Sequence, residues 1–159
     1  MTDPMDALNG LQVALSDRTV ELKPCDLHPE IGVLLDQPNG IPRFTYAQVK
    51  GNKVQAIVLF AMVEPVKGLP CFHLGYAVTE SMRNQGIGIR ILQQAIDELI
   101  NGMCRNRIKE FYLEAIVSTE NVASNKIAKR LISGGPELCK DAISGEPAYQ
   151  YLRKVQCGA

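Results

Sequence analysis

Between Gly75 and Gly88 the segment Gly-Tyr-Ala-Val-Thr-Glu-Ser-Met-Arg-Asn-Gln-Gly-Ile-Gly carries the residue types of an anion site. Glycines at Gly86 and Gly88 let a phosphate approach the backbone, and a helix that starts there offers unpaired N–H groups and the positive end of its dipole. Arg83 adds a fixed positive charge beside it. The pattern Arg/Gln-x-x-Gly-x-Gly arises by chance in about 1 chain in 12 of this length, so its flanks decide what it means. Before it, Phe72, Leu74, Tyr76 and Val78 alternate as a strand does. After it, Ile87, Ile91, Leu92, Ala95, Ile96, Leu99 and Ile100 recur at helical spacing, up to a stop signal at Gly102. Strand, turn and helix therefore come in the order that phosphate binding needs, with the backbone donors of Gln85 through Ile89 as candidate contacts. The segment lacks the Gly-x-x-x-x-Gly-Lys-Ser/Thr of a nucleotide loop and the acidic residue of a dinucleotide fold, which makes nucleoside triphosphates and NAD poor ligands.

A second group of residues has acid–base chemistry. Glu114 stands inside Phe111-Tyr-Leu-Glu-Ala-Ile-Val, where burial is expected to raise its pKa toward a value suited to accepting an amine proton. Its structural alternatives are a basic partner or a solvent-facing place at a sheet edge. His73 is a rival base, yet alternation turns it away from Phe72, Leu74 and Tyr76, which reads as a core or helix-facing histidine. His28, on a proline-flanked loop, reads as exposed. Gly75 interrupts a strand, where glycine marks a bulge or the close approach of a ligand. Asn121 and Ser124 fit the N-terminal cap of a further helix. Lys126, Lys129 and Arg130 on that helix read as a solvated basic face or as phosphate contacts.

The elements that must position these residues can be read along the chain. Residues 1–16 are expected to form a short helix or a loose arm, and Thr19 to Lys23 a first strand. Ile31, Val33, Leu34 and Leu35, between prolines, suggest one or two helical turns. Arg43 to Val49 and Val54 to Val63 read as an antiparallel hairpin around Gly51-Asn52, its second strand apolar enough to be covered on both faces. Strand, glycine loop and helix follow, then a buried strand at Phe111 to Val117. A helix at Val122 to Ile132 is broken by Gly134-Gly135-Pro136, and a closing strand lies around Ala148 to Arg153. Strands that meander first and then alternate with helices give a mixed α/β sheet, in one domain over residues 1–159.

The 17 basic and 17 acidic residues balance, so the net field predicts neither nucleic acid nor an anionic membrane surface as a partner. Five cysteines without a C-x-x-C pair argue against a disulfide framework or a zinc ribbon. No apolar run approaches the roughly 18 residues of a membrane span, and the acidic N-terminus lacks a signal pattern. A reducing cytoplasm is the expected home.

Taken together, these motifs resemble the GNAT superfamily of N-acetyltransferases. Arg83-Asn-Gln-Gly86-Ile-Gly88 after Gly75-Tyr-Ala-Val is similar to that superfamily's acetyl-CoA pyrophosphate loop. Asn121-Val-Ala-Ser124-Asn-Lys-Ile-Ala-Lys-Arg-Leu is similar to its next strand–helix junction. The close resemblance covers Leu69 to Gly135; before it, only the pattern of strands fits. It implies a GNAT-like fold, a mixed and mostly antiparallel sheet of about six or seven strands, splayed in the middle and flanked by about four helices. It implies acetyl-CoA as co-substrate, no metal, and direct attack in a ternary complex by a primary amine on a small molecule, a peptide or a protein. By resemblance, Arg83, Asn84, Gln85, Gly86, Ile87, Gly88 and Ile89 hold the pyrophosphate. The backbone of Tyr76, Ala77 and Val78 bonds pantetheine and polarises the thioester carbonyl, and Asn121 and Ser124 reach the pantetheine arm. Glu114 is the expected general base. Many members carry their general acid, a tyrosine, about one helical turn beyond the position of Ser124; Ala128 stands there, so Tyr149 is the expected substitute, with Tyr151, Tyr112 or water behind it. That departure supports a second reading, a non-catalytic acyl-CoA-binding sensor or interaction module. A homodimer, common in the superfamily, is also an expectation.

Overall fold

The hairpin strands β3 (Arg43–Lys50) and β4 (Lys53–Val66) form the middle of an eight-stranded sheet. This computed structural model describes residues 3–158. Gly51 takes φ +62° in the tight turn between them, a conformation that glycine adopts without strain. Ala56 through Ala61 of β4 are all buried, because helices cover both faces. Ala56, Val58 and Phe60 pack into the core beneath α2 (Ile87–Arg105), whereas Ile57 and Leu59 pack against α1 (Pro4–Ser16).

Helix α1 realises the first of the two expectations for the N-terminal segment; residues 1 and 2 of that segment lie outside the described residues. Asp3 caps the helix by accepting the Met5 N–H at 2.8 Å, and Pro4 occupies the first turn, where its missing N–H costs nothing. Leu8 and Leu11 seat the helix on Ala47, Ile57 and Leu59. The Gln12 amide then fixes it to the hairpin, donating to the Asn52 carbonyl at 2.7 Å and accepting the Val54 N–H at 2.8 Å.

The segment between α1 and the hairpin departs from the sequence reading. The strand expected at Thr19 to Lys23 is reduced to β1 (Lys23–Pro24), and the apolar patch expected as helical turns is strand β2 (Gly32–Asp36). Val33 joins the core under α2 and Leu34 the core under α1, an alternation that only an extended chain provides. Pairing with β3 in the register Val33↔Tyr46 and Leu35↔Phe44 supplies the backbone hydrogen bonds.

Strand β5 (Leu69–Val78) feeds the glycine loop and α2, and β6 (Glu110–Ser118) leads into α3 (Val122–Leu131). The short strand β7 (Glu137–Lys140) was not expected; it turns the chain into β8 (Pro147–Gln156). The strand order is β1-β2-β3-β4-β5-β6-β8-β7, and among the described residues only β5 and β6 run parallel. Among the described residues, eight strands and three α-helices thus stand where about six or seven and four were expected, within the same mixed architecture. Helix α2 runs past Gly102 because Met103 is buried in the core; it ends at Asn106, whose side chain donates to the Gly102 carbonyl at 2.7 Å. In the last turn of α2, Cys104 is bonded to Cys157, with Cα atoms 5.6 Å apart, a disulfide that the reading of the cysteines against a disulfide framework did not anticipate. The two residues are 53 apart in sequence and meet where the ends of α2 and β8 lie side by side.

The loop from Cys25 to Ile31 is held by a residue on α2 that periodicity does not single out. Glu98 is 5% exposed, and its carboxylate accepts the backbone N–H groups of Leu27, at 2.9 Å, and of His28. His28 is only half-exposed, lying 3.5 Å from Asp97. Truncation of Glu98 would leave two amide donors without a partner, each worth about 1–3 kcal/mol. Glu98→Ala should therefore lower the unfolding free energy by about 3 kcal/mol, and Glu98→Gln, which keeps an acceptor oxygen, by less. Urea denaturation with equal stability for all three proteins would contradict this role.

Candidate active site

Strands β5 and β6 stay together for only three residue pairs, Cys71↔Tyr112, Phe72↔Leu113 and His73↔Glu114. Beyond His73 and Glu114 they separate, while β5 remains paired with β4 through Ala56↔Val78. The amides of β5 that point toward β6 after this fork have lost their strand partner, a condition the backbone tolerates only where something else can bond them. A cavity of about 230 Å³ fills the opening, lined by His73, Gly75 and Tyr76 from β5, Ala115 and Val117 from β6, and Ala128 from α3. Gly75 thus lies where the expected approach of a ligand would occur.

A second cavity of about 690 Å³ shares Tyr76, Asn121 and Ser124 with the first and extends over Arg83, Asn84, Gly86, Ile87, Gly88 and Ile89. Its floor is the start of α2. Asn84 and Gly86 take φ +63° and +74°, left-handed conformations that turn the chain from the loop into the first turn of α2. The first intrahelical bond of α2 runs from the Arg90 N–H to the Gly86 carbonyl at 3.2 Å. The N–H groups of Ile87, Gly88 and Ile89 consequently have no helical acceptor. Arg83 is exposed beside them, its Nε donating to the Val78 carbonyl at 3.1 Å. Gln85 donates to the Ser81 carbonyl at 3.3 Å, which stiffens the loop. Strong donors, a dipole and one cation fit a diphosphate, and the narrow opening at the fork fits an extended arm. Among the described residues no cluster of three or more His, Cys, Asp or Glu side chains could hold a metal ion.

The fork is closed by charge. His73 Nδ1 lies 2.9 Å from Glu114 Oε1, and Gln150 Nε2 donates to Glu114 Oε2 at 2.8 Å. Both groups of the ion pair are largely buried, at 17% and 14% side-chain exposure. The pKa of Glu114 is therefore lowered rather than raised: the His73 hydrogen bond outweighs burial, and the Gln150 hydrogen bond and the histidine charge act in the same direction. The basic partner weighed as one structural alternative for Glu114 is thus His73, and burial, expected to raise the carboxyl pKa, is outweighed by that pairing. Because an ionised carboxylate can only accept, His73 Nδ1 carries the shared proton, and in the neutral form of the ring Nε2 is the basic atom. His73 lines the cavity at the fork.

The remaining expected residues take definite places. Asn121 caps α3 by accepting the Ser124 N–H at 3.1 Å, and the Ser124 hydroxyl lies 2.9 Å from the Tyr76 hydroxyl across the crevice. Ala77 packs toward α1, and Val78 lines the larger cavity. Tyr149 is half-buried against the core of α2 and α3 and lines neither cavity. Tyr151 is fully buried, its hydroxyl donating to Asn125 Oδ1 at 2.6 Å. Asn125, missed in the sequence, also donates to the Ser118 and Asn121 carbonyls and so locks α3 between β6 and β8. A polar residue on the inward stripe of a helix was the signal that could have found it.

The sequence profile of the Acetyltransferase (GNAT) family matches residues 12–132. No curated protein sequence matches significantly. Among solved structures, the chain is similar to a GNAT-family acetyltransferase from Streptococcus pneumoniae, with 17% identity, a TM-score of 0.54, and coverage of 97% of this chain and 96% of that one. It is also similar to the ribosomal-protein-S5-alanine acetyltransferase from Vibrio fischeri, with 16% identity, a TM-score of 0.54, and coverage of 74% and 63%. A third is a ribosomal L7/L12 alpha-N-protein acetyltransferase in complex with coenzyme A, with 23% identity, a TM-score of 0.51, and coverage of 73% and 64%. This chain spans just under two thirds of the length of the last two, and at such identities the likeness is one of fold. The family profile covers well over half of the sequence, and on that ground the chain belongs to the Acetyltransferase (GNAT) family.

Proposed function

We propose that the protein is an N-acetyltransferase that moves an acetyl group from acetyl-CoA to a primary amine by direct attack, with both substrates bound at once. One observation carries this reading: the cavity at the amides of α2 shares its walls with the cavity at the fork, where His73 is held by Glu114. Acetyl-CoA supplies an acyl group already activated as a thioester. The N–H groups of Ile87, Gly88 and Ile89, with Arg83 beside them, bind the diphosphate. The freed amides of β5 between Gly75 and Val78 bond the pantetheine arm and face the oxygen on which negative charge develops. His73 Nε2 takes the proton of the attacking amine, while Glu114 fixes the ring through Nδ1–H and stabilises the imidazolium that results. Glu114, with both oxygens already bonded, acts through the histidine. Alignment of amine and thioester in one crevice supplies much of the acceleration.

The acceptor is a primary amine. The names of two similar structures refer to ribosomal proteins, so protein N-terminal amines belong in the acceptor panel beside small amines, polyamines and amino acids. The test is a thiol-release screen with acetyl-CoA across that panel. Binding of acetyl-CoA without thiol release from any acceptor would favour the sensor reading instead.

Three outcomes are expected once an acceptor is found. His73→Ala should lower kcat by about 100-fold or more, with acetyl-CoA affinity kept, and Glu114→Gln by less; kcat at the wild-type value in His73→Ala would remove the histidine as base. Gly86→Val, forced into φ +74°, should distort the start of α2 and weaken acetyl-CoA binding at least about tenfold by calorimetry, and unchanged affinity would count against the site. The lowered pKa of Glu114 means that its ion pair stabilises the fold above the ordinary carboxylate value of 4.5 and loses that contribution as pH falls through its own lower pKa. Glu114→Gln should therefore lose stability at neutral pH and little further at acid pH. Equal urea midpoints for the two proteins at pH 7 would contradict the pairing.

A further inference from the structure

We propose that Tyr76 is the catalytic residue that returns a proton to the departing thiolate, with Ser124 as its positioning residue; the proposal rests on the acetyltransferase reading above. Ala128 of α3 lines the fork cavity with a methyl group and has no proton to give. Of the five tyrosines, four are spent elsewhere. Tyr151 donates to Asn125 inside the core, and Tyr46 is buried beneath α2 against Phe60. Tyr112 sits behind the fork, on the part of β6 still paired with Cys71, and Tyr149 lines neither cavity.

Tyr76 is differently placed. It lines both cavities, and its hydroxyl lies 2.9 Å from Ser124 Oγ, on the boundary between them. The ring is held against the start of α2, where a Cβ on Gly88 would stand 3.5 Å from its Cε2. A phenol on β5 therefore reaches the crevice from the strand side, opposite the helix position that Ala128 leaves empty of any donor. The same alternation that sends Tyr76 to this face sends His73 and Ala77 to the other, so acid and base approach the fork from opposite faces of the sheet.

The step balances without another reactant. The amine nitrogen bonds to the carbonyl carbon, and the carbon–sulfur bond breaks with its electron pair passing to sulfur. Sulfur takes the proton of Tyr76 Oη. Ser124 Oγ–H donates to the phenolate oxygen as it forms, and the phenolate takes its proton back from solvent once the products leave. The amine proton rests on His73 Nε2 and leaves to solvent.

The test compares wild type, Tyr76→Phe and Ser124→Ala with acetyl-CoA and the best acceptor from the amine panel. It reads kcat, acetyl-CoA affinity by calorimetry and the solvent deuterium isotope effect on thiol release. Tyr76→Phe, which keeps the ring on Gly88, should lose about 100-fold in kcat, keep its affinity within about twofold, and show a smaller isotope effect than wild type. Ser124→Ala should lose less and retain an isotope effect. Wild-type kcat in Tyr76→Phe, an unchanged isotope effect, or a loss explained by weaker acetyl-CoA binding would each overturn the role of Tyr76. If Tyr76→Phe fails to fold, the Ser124→Ala result decides: wild-type kcat there overturns the proposal, and a partial loss at unchanged affinity supports it. Failure of wild type to release thiol with any amine would instead overturn the acetyltransferase reading on which this one stands.

Discussion

The short parallel contact between β5 and β6 is the constraint on which the rest of the molecule depends. Parallel strands need a long crossover, here α2, and a crossover helix leaves its N-terminus near the end of the strand it follows. The pairing lasts through His73↔Glu114 and then stops, so the opened sheet lies directly beside the free amides of α2. A fully zipped pair would satisfy every backbone donor and leave nothing for a ligand. The ion pair of His73 with Glu114 stands on the last rung, where it closes the bottom of the opening with charge that the core on either side could not accommodate unpaired.

The two helices that flank this opening are each tied down by a buried polar side chain. Asn125 joins α3 to the Ser118 carbonyl and to the Tyr151 hydroxyl, and Glu98 joins α2 to the loop at Leu27 and His28. Buried hydrogen bonds of this kind cost stability when half satisfied and restrict geometry when complete. Asn125 thereby fixes the first turn of α3 beside the crevice, and Glu98 fixes the later half of α2 against the loop from Cys25 to Ile31.

Much of this was legible in the residues. The alternation of Phe72, Leu74, Tyr76 and Val78 and the helical spacing from Ile87 to Ile100 predicted strand, turn and helix in their observed order, because burial on one face is a local pattern. Contacts made across the fold were not legible. His73 and Glu114 are 41 residues apart, and their meeting depends on the register of a parallel pair that no turn dictates. Cys104 and Cys157 meet for a similar reason, through two element ends brought together by the sheet. Gly102 read as a helix stop because its propensity is poor, but burial of Met103 one residue later outweighs that preference. Ile31 to Leu35 read as helical because four apolar residues in five fit either period, and only the partner strand β3 decides between them.

One arrangement decides how the molecule works: a diphosphate on the first amides of α2 with the sulfur end of the same molecule between the parted strands. A crystal structure of the protein with coenzyme A is the most direct measurement. The predicted result has the diphosphate oxygens within hydrogen-bond distance of the N–H groups of Ile87, Gly88 and Ile89, and the sulfur between Gly75 and Ala115, near the Tyr76 hydroxyl. Coenzyme A bound at another surface, or β5 and β6 found zipped together beyond His73 and Glu114, would contradict it.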